Sequence, residues 1–278
     1  MSSPAARGDR INVGDLQLWV EQSGSGPDVL LISGLGYSNW CWQELQSALA
    51  PAHRVVSFDN RGTGRSDKPA GPYSIGMLAD DAARLLDALR VPAAHVVGHS
   101  MGGYIAQQLA LAHPDKVKTL CLVATAAGGP GMVPMPEATL RLWNEVAGLS
   151  PQESARRAMP TSFAPGWTER NPQRFEQLLA ARLRHPTPPA CWAAQYAACV
   201  AHVQHGLDVT AITAPALVMH GSEDRVVPHG NGELLAQRLP RAQLVTLQGR
   251  GHLLPLEEPE RFAQLVAAHV AAHESRAG

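Results

Sequence analysis

The sequence predicts an α/β fold, a mostly parallel central sheet with helices on both faces and a helical cap inserted into it. Three observations carry this. Short apolar runs alternate with amphipathic helical stretches over both ends of the chain, as a parallel sheet with crossover helices requires. The alternation stops between residues 128 and 209 and then resumes. At one strand-to-helix junction the chain reads V-V-G-H-S-M-G-G, from Val96 to Gly103, with one serine two residues from a glycine on either side.

Taken in order, Ile11–Val13 and Gln17–Glu21 are two β segments joined through Gly14-Asp15, which suits a hairpin. Val29–Ile32 precedes a helix near Trp42–Leu49, and Val55–Phe58 precedes one near Met77–Leu89. His95–Val97 leads into a helix over Met101–Ala112, and Thr119–Val123 is the next strand. After the interruption, Ala216–Met219 leads to a helix near Gly232–Leu239, and Gln243–Leu247 to one over Pro259–Ala272. Within the interruption, helical periodicity appears at Ala138–Val146 and Pro172–Leu183. The expected organisation is a core of residues 1–127 and 210–278 with a cap of residues 128–209 over the sheet's C-terminal edge, where open α/β sheets hold their ligands. The alternative is a peripheral decoration whose tryptophans form a core of its own.

Composition narrows the function. The 23 basic and 24 acidic residues nearly cancel, without a basic stripe for nucleic acid or a cluster for an anionic membrane. Met1–Arg10 lacks the apolar stretch of a secretory signal. The uncharged window Thr119–Pro136 is about the length of a membrane span, but Gly128, Gly129, Pro130, Gly131 and Pro134 in it favour a strand followed by a loop. Cys41, Cys121, Cys191 and Cys199 show no CxxC pairing and read as reduced thiols. The expectation is a cytoplasmic protein acting on a small molecule, with no nucleic acid, membrane, metal or cofactor partner; oligomeric state is left open. Metal-ligand spacings such as H-E-x-x-H do not occur.

A serine hydroxyl is a poor nucleophile until a base takes its proton. A sharp strand–helix turn lifts Ser100 out of the fold, and Gly98 and Gly102 allow the close backbone approach such a turn needs. It also leaves the Met101 N–H at a helix start, aimed where an oxyanion would form. His99 is adjacent but diverges at the turn, and is expected to pack against the sheet. The base is expected in His252, in a glycine-flanked loop after the last strand. A carboxylate must fix its tautomer. Glu223 and Asp224 both follow a strand, and Asp224 is chosen because a helix starting at Pro228 lets the turn aim it inward. The loop after Thr119–Val123 holds no carboxylate before Glu137. A second oxyanion donor is expected in Ser33-Gly34-Leu35-Gly36-Tyr37, at the Leu35 N–H, with an ordinary glycine turn as the alternative. Asp59–Ser66 lacks the P-loop lysine and is read as structural support.

With Ser100, Asp224 and His252 in that chain order, and with Ser33–Gly36 and Asp59–Ser66, the sequence resembles the α/β-hydrolase superfamily over roughly Leu16–His269. The resemblance implies Ser100 as nucleophile, His252 as general base and then acid, Asp224 as its orienter, and the Leu35 and Met101 amides as oxyanion hole. Serine rather than aspartate at the turn argues against dehalogenases and epoxide hydrolases of this fold. Within the superfamily the chain is most similar to small bacterial esterases and enol-lactone hydrolases, although many relatives carry histidine where Ser33 stands. The implied activity is cleavage of an ester or lactone through an acyl-enzyme. C–C bond hydrolysis of a diketone and ligand reception on a hydrolase scaffold are the alternatives. Trp143, Trp167, Trp192 and Tyr196 are the expected pocket residues for an apolar or aromatic acyl group. Arg156, Arg157, Arg182 and Arg184 are read either as solvated helix faces or as partners for a substrate carboxylate.

Overall fold

The computed structural model describes residues 7–274; positions 1–6, part of the stretch read for targeting, and 275–278 lie outside the described residues. The strands are β1 (Arg7–Asn12), β2 (Gln17–Ser23), β3 (Asp28–Ile32), β4 (Arg54–Phe58), β5 (Ala94–His99), β6 (Val117–Val123), β7 (Ala216–Gly221) and β8 (Ala242–Leu247). They form one sheet in the order β1-β2-β4-β3-β5-β6-β7-β8. β1 and β2 form the expected hairpin, β2 runs antiparallel to β4, and every later pairing is parallel.

The helices are α1 (Gln43–Leu49), α2 (Ile75–Ala88), α3 (Met101–Ala112), α4 (Glu137–Val146), α5 (Pro151–Ala158), α6 (Trp167–Arg170), α7 (Pro172–Leu183), α8 (Pro189–His205), α9 (Gly230–Arg238), α10 (Leu254–Glu257) and α11 (Pro259–Glu274). Alternation along each strand sorts the core onto two faces. Leu30, Ile32, Val96 and Leu122 pack with Leu78 of α2 and Ile105 of α3. Val29, Leu31, Val97 and Val123 pack with Leu45 of α1 and Val266 of α11. With both faces covered, the central strands carry continuous apolar runs, Val29–Ile32 in β3 and Leu120–Val123 in β6. Each buried aliphatic side chain contributes about 1.5–3 kcal/mol.

The interval 128–209 holds α4 to α8 and has no separate core. Phe163, Trp167, Phe175 and Leu178 join the cluster on the α1 and α11 face, while Ala198 of α8 joins the opposite one. The window Thr119–Pro136 divides into β6 and a loop, and among the described residues no helix is long and apolar enough to cross a membrane. The four cysteines are free thiols, three of them buried and Cys199 half-buried.

Candidate active site

Ser100 occupies the corner between β5 and α3 with φ 55° and ψ −119°, a conformation L-residues rarely adopt. Such strain costs about 1–3 kcal/mol and persists only where the surroundings impose it. They do so here: the Ser100 N–H donates to the Val123 carbonyl at 2.8 Å, and its own carbonyl accepts from the Gly103 N–H at 2.8 Å and the Thr125 hydroxyl at 2.9 Å. The motif's glycines follow from packing. A Cβ on Gly102 would overlap the Ile32 carbonyl, and one on Gly98 would overlap the Gly102 carbonyl.

Past β7, the Asp224 carboxylate is held at both oxygens. Oδ1 accepts the N–H groups of Val226 (2.8 Å) and Val227 (2.9 Å), and Oδ2 accepts His252 Nδ1 at 2.8 Å. These amides aim the carboxylate; α9 begins only at Gly230, so a helix starting at Pro228 is not what orients it. His220, fully buried at the end of β7, donates from Nε2 to the Val227 carbonyl at 2.7 Å and lies 3.3 Å from Asp224 Oδ2. Burial pushes the Asp224 carboxyl up, but His252 and His220 outweigh it and hold the group below the usual carboxylate range. Glu223 is exposed.

Asp224 accepts the Nδ1 proton of His252, leaving the lone pair on Nε2. His252 and Ser100 line one cavity of about 940 Å³ with Leu35. His99 is buried as expected, but it also has a polar task. Its Nε2 donates to the His252 carbonyl at 2.8 Å, with the two rings 4.9 Å apart. Burial and the neighbouring His252 push its pKa down to about 3, so the ring is neutral.

The loop after β3 lies against the corner: a Cβ on Gly34 would stand 3.1 Å from Ser100 Cβ. Gly36 N–H donates to Gln195 of α8 at 3.0 Å, and Gln195 donates to the Arg61 carbonyl at 2.9 Å. That bond occupies the Gly36 amide, which favours Leu35 as the donor to a ligand. Met101 opens α3, where the first N–H groups lack intrahelical acceptors. Ser33 accepts the Trp42 indole N–H at 2.9 Å. Asp59 anchors the neighbouring loop through the Asn39 (2.7 Å) and Arg65 (2.8 Å) N–H groups, in keeping with a structural task.

Of the four aromatics expected at the pocket, Trp143, Trp192 and Tyr196 line the cavity, with Trp192 stacked on Tyr196 at 5.1 Å. Trp167 does not line it. It stacks on Phe163 at 4.2 Å within the core on the α1 and α11 face, so its placement there is a correction. The segment 128–209 also grips the loops that carry Asp224 and His252. Leu253 N–H donates to the Ser162 carbonyl at 3.0 Å, and Arg225 donates to the carbonyls of Pro160 (3.3 Å) and Phe163 (3.1 Å). Glu257 Oε1 accepts the N–H groups of Ala164 (3.1 Å) and Gly251 (3.0 Å). His220, Gln195 and Glu257 escaped the sequence reading; only His220, four residues before Asp224 at a strand end, carried a usable signal. Among the described residues no group of three or more His, Cys, Asp or Glu could hold a metal ion.

Residues 27–259 match a family described as alpha/beta hydrolase fold. The chain is 31% identical over 255 residues to RutD of Azorhizobium caulinodans, named for a carbamate hydrolase activity, covering 91% of this chain and 94% of that protein. It is 31% identical over 286 residues to the 2-hydroxymuconate semialdehyde hydrolase of a Pseudomonas species, covering 98% and 94%. The crystal structure of the enol-lactonase from Burkholderia xenovorans superposes with a TM-score of 0.83 at 27% identity, covering 95% of this chain and all of that one.

Proposed function

The chain belongs to the α/β-hydrolase family, and from that premise we propose that it is a serine hydrolase cleaving a carboxylic ester or lactone of a small, partly apolar substrate. The observation that carries this is the 2.8 Å bond from His252 to Asp224, with the His252 ring lining the same cavity as the strained Ser100. Ser100 Oγ attacks the carbonyl carbon as its proton passes to His252 Nε2, and Asp224 stabilises the imidazolium. The Met101 and Leu35 amides receive the oxyanion. Collapse breaks the bond to the leaving oxygen, which takes the proton from His252; in a lactone that oxygen stays tethered. Water then loses a proton to His252, attacks the acyl carbon and releases the acid, and Ser100 regains its hydrogen. Trp143, Trp192 and Tyr196 supply apolar surface to the acyl group. The reading is of a cytoplasmic enzyme that works without a cofactor.

A second reading, hydrolysis of a C–C bond in a diketone, is favoured by the likeness to the 2-hydroxymuconate semialdehyde hydrolase over nearly the whole chain. Turnover of p-nitrophenyl acetate and butyrate tests the first. Ser100→Ala is expected to leave the fold intact and cut kcat by about 10⁴- to 10⁶-fold. A loss under tenfold refutes Ser100 as nucleophile. Turnover of a ring-cleavage diketone but of no ester or lactone would install the second reading.

A further inference from the structure

The loop after β3 closes a four-residue turn, the Tyr37 N–H donating to the Gly34 carbonyl at 3.1 Å. Leu35 and Gly36 are its central residues, and Gly36 has φ 68°, the positive value a turn of this kind takes where a glycine stands third. The turn lies directly against α8: a Cβ on Gly36 would stand 2.7 Å from Trp192 Cδ1. Arg182 of α7 covers its last residue, with the guanidinium carbon 4.4 Å from the centroid of the Tyr37 ring. Leu35 lines the cavity, and its N–H has no acceptor among the described residues.

Both polar groups of Gly36 are taken by the segment 128–209. Its N–H donates to Gln195 Oε1 at 3.0 Å, and its carbonyl accepts the Thr187 hydroxyl at 3.2 Å. Gln195 is fully buried and bound at its other end too, Nε2 donating to the Arg61 carbonyl at 2.9 Å. Arg61 is a firm anchor, since its guanidinium takes both oxygens of the buried Asp81 at 2.6 Å. A trans peptide is planar, so holding its oxygen also sets the direction of its N–H. Thr187 holds the Gly36–Tyr37 peptide at the oxygen. The N–H of that peptide in turn holds the oxygen of the Gly34–Leu35 peptide, whose own N–H is the one left open at Leu35. Gln195 fixes the peptide between them.

We propose that Gln195 and Thr187 are positioning residues for the oxyanion donor: by fixing both polar groups of Gly36 they aim the Leu35 N–H at the place where negative charge develops. This deepens the serine-hydrolase reading and rests on it. Such a donor works because it is aimed before the reaction begins, and a displacement of about 1 Å costs up to about 10²-fold in rate. A ground-state carbonyl carries less charge and gains less from the same donor, so the effect falls on kcat rather than KM.

The test starts from Gln195→Met, which keeps the length of the side chain and removes both bonds. On p-nitrophenyl butyrate, kcat per folded molecule is expected to fall by about 10- to 100-fold, with KM within about threefold of the wild type. Two ketones separate aim from packing. Trifluoromethyl hexyl ketone is attacked by Ser100 and leaves an O⁻ where the donors point, whereas methyl hexyl ketone binds without that step. Gln195→Met is expected to weaken the first by the same factor as kcat and to leave the second within about twofold. Thr187→Val should show the same pattern at a several-fold smaller size, and Thr187→Ser should restore the wild-type values; this pair decides the matter if Gln195→Met does not fold. Equal weakening of both ketones would give the two residues a packing role and overturn the proposal, as would an unchanged kcat per folded molecule. Ser100→Ala separates this from the parent reading. A preference for the trifluoromethyl ketone that survives undiminished in Ser100→Ala sinks the serine-hydrolase reading, whereas a Ser100-dependent preference untouched by Gln195→Met and Thr187→Val sinks this proposal alone.

Discussion

Glu257 offers a test in which sign and size both follow from the structure. Its Oε1 accepts the N–H groups of Ala164 and Gly251, while Oε2 is buried without a partner among the described residues. Burial pushes the carboxyl up from the ordinary 4.5 to about 7, although the two amides and Arg250 pull the other way. Between these values the folded protein keeps a proton that the unfolded chain has released. The contribution to stability is therefore complete below pH 4.5 and is lost as pH rises to about 7. That interval corresponds to about 3 kcal/mol at full value, and less where water reaches the group. Glu257→Gln keeps an oxygen for both amides and removes the ionisation. Urea unfolding of both proteins from pH 5 to pH 8 is the assay, with other titrating groups cancelling in the difference. The variant is expected to match the wild type near pH 5 and to exceed it by about 2–3 kcal/mol at pH 8. A variant weaker than the wild type at pH 8, or a difference that does not change with pH, would refute the reasoning.

Asp224→Asn presents an amide to His252 Nδ1 and disturbs the tautomer. On p-nitrophenyl butyrate kcat should fall by about 10⁴-fold, while Glu223→Gln, on an exposed side chain, should stay within twofold; the opposite pattern would exchange their tasks. Gly102→Ala drives a methyl into the Ile32 carbonyl. A loss of about 1–3 kcal/mol in urea unfolding is expected, and a variant as stable as the wild type would show that α3 can shift without cost.

The strands and the Ser100 turn were legible because local rules set them. Met101–Ala112 is helical over the expected span, since the glycines that permit the turn also fix where the helix can begin. Asp224 was legible by its position after a strand, yet for a reason that proved incomplete, because two amides rather than a helix start aim the carboxylate. The cap was harder to read. The long helix α8 is rich in alanine and apolar around most of its surface, so it shows little of the periodicity that marked α7. Trp143 and Trp167 look alike in sequence; one reaches the cavity and the other a stack with Phe163, because contacts among distant elements decide the direction. The four arginines divide for the same reason, since the glutamates that neutralise Arg156 and Arg157 come from neighbouring helices.

The bonds running from Pro160–Ala164 to Arg225, Leu253 and Glu257 have a consequence for how such enzymes diversify. An insertion that merely roofed the cavity could be exchanged like a cartridge, altering substrate choice and leaving the reaction centre alone. Here the same few residues brace the loops of Asp224 and His252, so a replacement lacking them would slacken the geometry beneath. Divergence of substrate choice then has its freest ground in α4 and in the cavity face of α8, on either side of that keystone.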